Sequence, residues 1–359
     1  MNGFGRGFLP GPTDVHPDVM AATTQPMYFA FSDRMQALLA GVQPALQRLF
    51  GTGRMVLTAT CAATGLMEAA VRNGVRRRVL VVCSGYFGEM FARVAEGCGK
   101  EVIRASVPQG NVLTPDQLSV FLEGPAVDAV ALVHSESSTG ALAPLPALAR
   151  VVRERKDTLL LVDAVTSVGA MPVETDAWGL DFVFTGSQKA LALPPGIAFG
   201  VAGDRMMRRA ETLRDRGFFL SLTHLDAAAR KNLPLTTPAL PVYHALERQL
   251  RRIDAAGGLI PRFARHAAMA ARVAAWSEEH PECRLLAASG ERSPSVSALE
   301  LASDRRPGEV VATLESRGWQ IATGLAPLTD RVIRIGHMGD LEVDHLDGLL
   351  SELGAVLRS

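Results

Sequence analysis

From about residue 55 the chain alternates in a way few folds can accept. Short apolar runs (Met55–Thr60, Val79–Cys83, Glu101–Ala105, Ala129–His134, Thr158–Val162, Phe182–Phe184 and Ile197–Val201) are separated by helical stretches. Those stretches include Gly65–Asn73, Tyr86–Gly97, Pro115–Leu122 and Leu145–Arg155. Strand runs without polar alternation, each followed by a helix, predict βαβ units and a largely parallel sheet covered on both faces. Right-handed crossovers then leave a ligand crevice at the carboxyl ends of the strands. At 359 residues the chain exceeds what one core usually holds. The pattern does change after about residue 250: a helix over Ile260–Glu279, a strand at Ser295–Leu301, a helix over Pro307–Arg317, strands near Trp319–Ala322 and Val332–Ile335, and a terminal helix over Val343–Leu357. The expected division is an N-terminal segment (1–15), a large α/β domain (16–250) and a smaller C-terminal α+β domain (251–359). Gly203–Asn232 is charged and reads as an irregular surface excursion.

Composition narrows the partners. Lys plus Arg equals Asp plus Glu at 37 each, so the formal net charge is zero. That balance argues against nucleic acid or a membrane surface as partner. No uncharged apolar stretch reaches spanning length, and Met1-Asn-Gly-Phe-Gly-Arg-Gly7 lacks the apolar core of a signal peptide. The four cysteines (Cys61, Cys83, Cys98, Cys283) show no CxxC pair and no metal spacing with histidine, which suits a reducing, cytoplasmic compartment.

Two residues carry the chemistry. Lys189 is one of only four lysines; Lys100, Lys156 and Lys231 lie in polar stretches where a solvated cation is ordinary. Lys189 is followed by Ala-Leu-Ala-Leu-Pro-Pro-Gly196, where an ammonium would be poorly solvated. Desolvation lowers the amine's pKa, and that makes a lysine a nucleophile toward an aldehyde. Leu159-Leu-Leu-Val-Asp163 ends an apolar run with a single carboxylate at a strand's carboxyl end. A lysine for an aldehyde and an acid for a pyridinium nitrogen are the two protein groups that pyridoxal phosphate chemistry needs.

Other segments are compatible with that site and with plainer readings. Thr60-Cys-Ala-Ala-Thr-Gly65 follows a strand and opens a helix, so it is either an anion cradle or ordinary helix capping. Ser84-Gly-Tyr-Phe-Gly88 offers an aromatic that could stack on a planar ring or fill a core. His134-Ser-Glu-Ser-Ser-Thr-Gly140 is a polar turn or a hydrogen-bonding shelf. Arg334 interrupts an alternating strand; its planar fork suits a carboxylate, and a surface position on an edge strand is the alternative. No G-x-S-x-G elbow and no zincin histidine pair is present.

Taken together these segments resemble the class V aminotransferases of the fold-type I pyridoxal phosphate enzymes, in the alanine/serine–glyoxylate (serine–pyruvate) and 2-aminoethylphosphonate branch. The matching stretches also include Pro10-Gly-Pro12, Leu161–Gly169, Gly186–Leu191, Thr237–Pro241 and Ile333–Gly339, and they span nearly the whole chain. The resemblance implies that Lys189 forms the imine with the cofactor aldehyde and Asp163 pairs with the ring nitrogen. It implies that Phe87 and Val165 pack on the two ring faces, and that Ser138 lies at the ring's polar edge. Ala62, Ala63, Thr64 and Gln188 would hold the phosphate, with Thr237 reaching it from the neighbouring subunit of a homodimer. Arg334 would bind the substrate carboxylate. The implied reaction is ping-pong transamination between a small amino acid of the alanine or serine type and a 2-oxo acid such as glyoxylate or pyruvate. A 2-aminoethylphosphonate–pyruvate transaminase, a lyase on the same cofactor and a non-catalytic binding protein are the alternatives. Where relatives often carry a His-Arg pair before the first long helix, this chain has Ala30 and Phe31.

Overall fold

In the computed structural model, which describes residues 3–358, the seven apolar runs pair into one sheet. Its order is Leu57–Ala59, Ala198–Ala202, Phe182–Gly186, Leu159–Asp163, Ala129–Val133, Arg78–Cys83, Glu101–Ser106. Only Ala198–Ala202 is reversed, antiparallel to both neighbours; the other pairings are parallel. The three central strands Ala129–Val133, Leu159–Asp163 and Phe182–Gly186 are buried at every residue. That is why their sequences are unbroken apolar runs instead of alternating ones.

Alternation along each strand still sorts side chains between two cores. Leu80, Val130, Leu132, Leu160 and Val162 face the helices Asp33–Phe50, Leu145–Arg153 and Leu240–Ala255. Val79, Val81, Leu159, Leu161 and Phe184 face the other layer, built from Ala63–Gly74 and Tyr86–Gly97. The segment Gly203–Asn232 departs from the expected irregular excursion. It forms two helices, Asp204–Thr212 and Leu222–Ala229, which bury Met206, Leu222 and Leu225 in this second core. Lys100 departs likewise: its stem is covered, with 6% of the side chain exposed, and its ammonium pairs with Asp215 at 2.9 Å.

A second, antiparallel sheet has the order Cys283–Leu285, Val296–Leu301, Val332–Gly336, Ala322–Thr323. Helices Leu259–Glu278, Pro307–Ser316 and Val343–Arg358 complete its core. The strand expected near Trp319–Ala322 shrinks to Ala322–Thr323, because Trp319 turns inward beside Phe8. Phe8 comes from the N-terminal segment, which bridges to Gln320 and accepts a bond from Gly336 through the Phe8 carbonyl. From there the segment runs to Lys189.

Candidate active site

Strand alternation decides which side Asp163 faces. It is the last residue of its strand and points the same way as Leu159 and Leu161, toward the layer of Ala63–Gly74 and Tyr86–Gly97. Both helices begin at the carboxyl edge of the sheet. Between their starts lies a cavity of about 240 Å³ whose lining includes Asp163, Lys189, Phe87 and Val165. Ala62, Ala63 and Thr64 line it too, and no side chain caps the first turn of their helix. The first N–H groups of a helix lack intrahelical partners, so an uncapped start of this kind attracts an anion.

Lys189 is held from several directions. The Thr13 hydroxyl donates to the Lys189 carbonyl at 2.9 Å, and the Thr13 N–H donates to the Gln188 carbonyl at 3.0 Å. Arg262, paired with Asp340 at 2.7 Å, donates to the Ala190 carbonyl. The Lys189 amine itself donates to the Pro10 carbonyl oxygen. Gly11 sits so close that a Cβ there would fall 2.5 Å from Nζ, so no other residue fits this crossing without displacing the lysine. Burial pushes the Lys189 amine down to about 8; the Arg334 charge adds to this, while Asp163 and Glu136 oppose it.

Asp163 is shifted the other way. Burial pushes its carboxyl up to about 7 and the Glu136 charge adds to this, against the Val165 N–H, which donates at 2.9 Å, and the Lys189 charge. An amine lowered toward neutrality and an acid raised toward it face one cavity, the arrangement that proton-transfer chemistry uses. The Phe87 ring centroid lies 5.9 Å from Nζ.

Several expected residues are placed differently. Ser138 does not line the cavity; its hydroxyl donates to Glu136 at 2.6 Å. Ser135 and Ser137 line it instead, and the buried Ser137 hydroxyl has no partner. The hydroxyl-rich turn was visible in the sequence, but which serine faces inward depends on the hairpin Ser135–Glu136/Ala141–Leu142. Gln188 lines the cavity. Thr237 is exposed and does not. Arg334 is not on an edge: its strand is paired on both sides and it is 7% exposed. Its Nε donates to the Thr323 carbonyl at 2.9 Å and its Nη1 to the Ser137 carbonyl at 3.3 Å. His337 is buried against the Ser297 hydroxyl and outside the lining. Nothing local in the chain marks Pro10 as a lysine acceptor, Gly11 as its crossing point, or Met67 and Met90 as apolar walls.

These residues fit pyridoxal phosphate. The uncapped helix start suits a phosphate, Phe87 and Val165 offer apolar contact for a ring, Asp163 suits a ring nitrogen, Lys189 an aldehyde, and the partnerless Ser137 hydroxyl a polar ring substituent. Comparison with known proteins agrees. Residues 51–335 match the family model described as aminotransferase class-V. The small subunit of a soluble hydrogenase from Synechococcus sp. is 33% identical, over 96% of this chain and 93% of its own. The L-aspartate–glyoxylate aminotransferase of Paracoccus denitrificans is 31% identical, over 93% and 86%. The crystal structure of an alanine–glyoxylate aminotransferase from Nostoc sp. superposes with a TM-score of 0.93 at 29% identity, covering 98% of this chain and 95% of that one. The chain belongs to the class V aminotransferases, enzymes that depend on pyridoxal phosphate.

Proposed function

We propose that the protein transfers an amino group between a small amino acid of the alanine or serine type and a 2-oxo acid such as glyoxylate or pyruvate. The observation that carries this is the pairing of a buried amine and a buried carboxyl, Lys189 and Asp163, across one cavity with an open helix start. Bound there, pyridoxal phosphate supplies an aldehyde carbon for the amino group and a ring that accepts electron density. Lys189 Nζ, as the free amine, takes the Cα proton of the donor and would deliver it to the cofactor carbon that takes up the amino group. Asp163 holds a proton at the ring nitrogen, Ala62, Ala63, Thr64 and Gln188 hold the phosphate, and Phe87 with Val165 keeps water from the ring. The relatives that use glyoxylate favour it as acceptor. For the donor, Lys189 is the only basic residue lining the cavity among the described residues; Arg334 lies outside the lining, bonded to the carbonyl of the lining residue Ser137 and close enough for its charge to act on Lys189. One arginine serves one carboxylate, which favours alanine or serine over aspartate.

Two half-reactions predict parallel initial-rate lines when alanine and glyoxylate are varied; intersecting lines reject the scheme. A donor panel of alanine, serine, aspartate and 2-aminoethylphosphonate, scored by loss of cofactor absorbance, tests the substrate class. Discharge by the phosphonate alone overturns the donor assignment and leaves the chemistry standing. Arg334→Ala is expected to raise KM for carboxylate donors about 10–100-fold, the worth of a charged hydrogen-bonded pair, with a smaller change in kcat. Equal KM values would remove Arg334 from substrate binding.

The active unit in this reading is a homodimer in the cytoplasm. Met27 and Phe29 are 69% and 70% exposed, Phe31 lies beside them, and Thr237 faces outward, as an interface patch and a cross-subunit residue would. Sedimentation is expected to give twice the chain mass, and Phe29→Asp with Phe31→Asp is expected to give monomers without activity. A monomeric, active wild-type protein rejects the shared site.

A further inference from the structure

Two helix starts reach the cavity, and they are treated oppositely. Ala63–Gly74 is left uncapped, whereas the first three N–H groups of Tyr86–Gly97 are all engaged by one buried pair. Tyr86 N–H donates to the Ser138 hydroxyl at 3.0 Å, and Phe87 and Gly88 N–H donate to Glu136 Oε2 at 3.1 Å each. Ser138 in turn gives both its N–H (3.1 Å) and its hydroxyl (2.6 Å) to Glu136 Oε1. The helix's own N-cap, Gly85, has no side chain to offer, and none would fit: a Cβ there would fall 2.4 Å from the Ser138 hydroxyl. Glu136 is 1% exposed, and its oxygens are satisfied by neutral donors at the start of a helix, whose dipole favours a negative charge there.

We propose that Glu136 is a positioning residue of the active site: its carboxylate caps, from another segment of the chain, the helix that carries Phe87, holds Ser138 away from the cavity so that Ser137 lines it, and supplies a negative charge to Lys189. By filling the second helix start with an internal anion, Glu136 also leaves the Ala62–Thr64 turn as the one open anion seat of the two. A carboxylate with four neutral donors and no cation in direct contact is costly to bury unless it orders something, and here it orders two walls of the site, with the Lys189 and Arg334 charges acting on it from beyond ion-pair distance. The Glu136 charge favours the protonated amine and so opposes the downward shift that burial imposes on Lys189. The inference rests on the cofactor reading only for the importance of Phe87 and Ser137; the capping itself does not depend on it.

The test separates the two. In cofactor-free protein, Glu136→Ala is expected to speed amide exchange at Tyr86, Phe87 and Gly88 about 10–100-fold while the last turn of the same helix is unchanged. Glu136→Asp, one methylene short of both donor pairs, gives the same direction should the alanine variant fail to fold. Unchanged exchange at these three amides, or acceleration spread over the whole helix, overturns the capping. Glu136→Gln keeps the shape and removes the charge. With cofactor bound, the pH midpoint of its visible absorbance is expected to fall by roughly half a unit or more, while Glu136→Asp keeps the wild-type midpoint. A Gln variant with an unmoved midpoint overturns the electrostatic part. Failure of the wild-type protein to take up any visible chromophore would count against the cofactor reading and leave the exchange result intact.

Discussion

Lys189→Ala is expected to lower kcat by at least about 10³-fold without unfolding the protein, because it removes both the nucleophile and the proton carrier. Lys189→Arg is expected to do the same, although it keeps the positive charge. A guanidinium does not lose its proton in proteins, so it cannot accept one from the donor carbon. The wild-type amine, pushed down to about 8 by burial, is free in about a tenth of molecules at pH 7, far more than an ordinary lysine would be. The rate of the donor half-reaction should therefore rise as pH climbs toward about 8 and level off above it, since only the free amine accepts a proton. The residual rate in either variant should lack that rise. Pyruvate formation from alanine and glyoxylate, with circular dichroism to check the fold, is the measurement. Activity within tenfold of wild type in either variant would take Lys189 out of the chemistry.

The parts of this site that the sequence made legible are those fixed by strand ends. All seven strands of the large sheet were visible as short β-rich runs, and the carboxyl end of one of them placed Asp163. Lys189 was legible because the apolar residues that follow it would leave an ammonium poorly solvated, unlike the settings of the other three lysines. What stayed hidden depends on segments meeting across long separations. Pro10 and Thr13 reach the lysine from 179 and 176 residues away, and nothing local marks them as its partners. Ser137 and Ser138 are chemically identical neighbours, and the hairpin, together with the Glu136 carboxylate that takes the Ser138 hydroxyl, decides which faces inward. Asp204–Thr212 reads as irregular surface because Met206 and Ala210, one helical turn apart, are its only buried apolar residues, with charged residues around them. The same pattern explains Glu136: a capping carboxylate supplied from 49 residues away leaves no capping signature at the helix it serves.

Asp163→Asn is expected to cut kcat by about 10²–10⁴-fold and, in cofactor-free protein, to raise stability above pH 7. The two effects have one origin. Unfolded, the carboxyl titrates near 3.8; folded, burial holds it near 7. Between those values the folded chain binds a proton that the unfolded chain has lost, so stability falls as pH rises from about 4 to about 7. Above pH 7 that loss is complete, and it amounts to at most about 4 kcal/mol. Asparagine has nearly the same shape and no charge to bury, so the variant should match wild type near pH 4 and exceed it by about 1–4 kcal/mol at pH 8. Lys189 contributes with the opposite slope and in a later window: its amine is depressed in the fold, so stability rises as pH climbs from about 8 toward 10.5. Urea midpoints of the cofactor-free proteins at pH 4, 6, 8 and 10 separate the two windows. With cofactor bound the order should reverse, because the ring nitrogen compensates a carboxylate and not an amide. A variant that is less stable than wild type at pH 8 without cofactor would mean that Asp163 already has a compensating partner in the empty protein, and the strain attributed to it here would be absent.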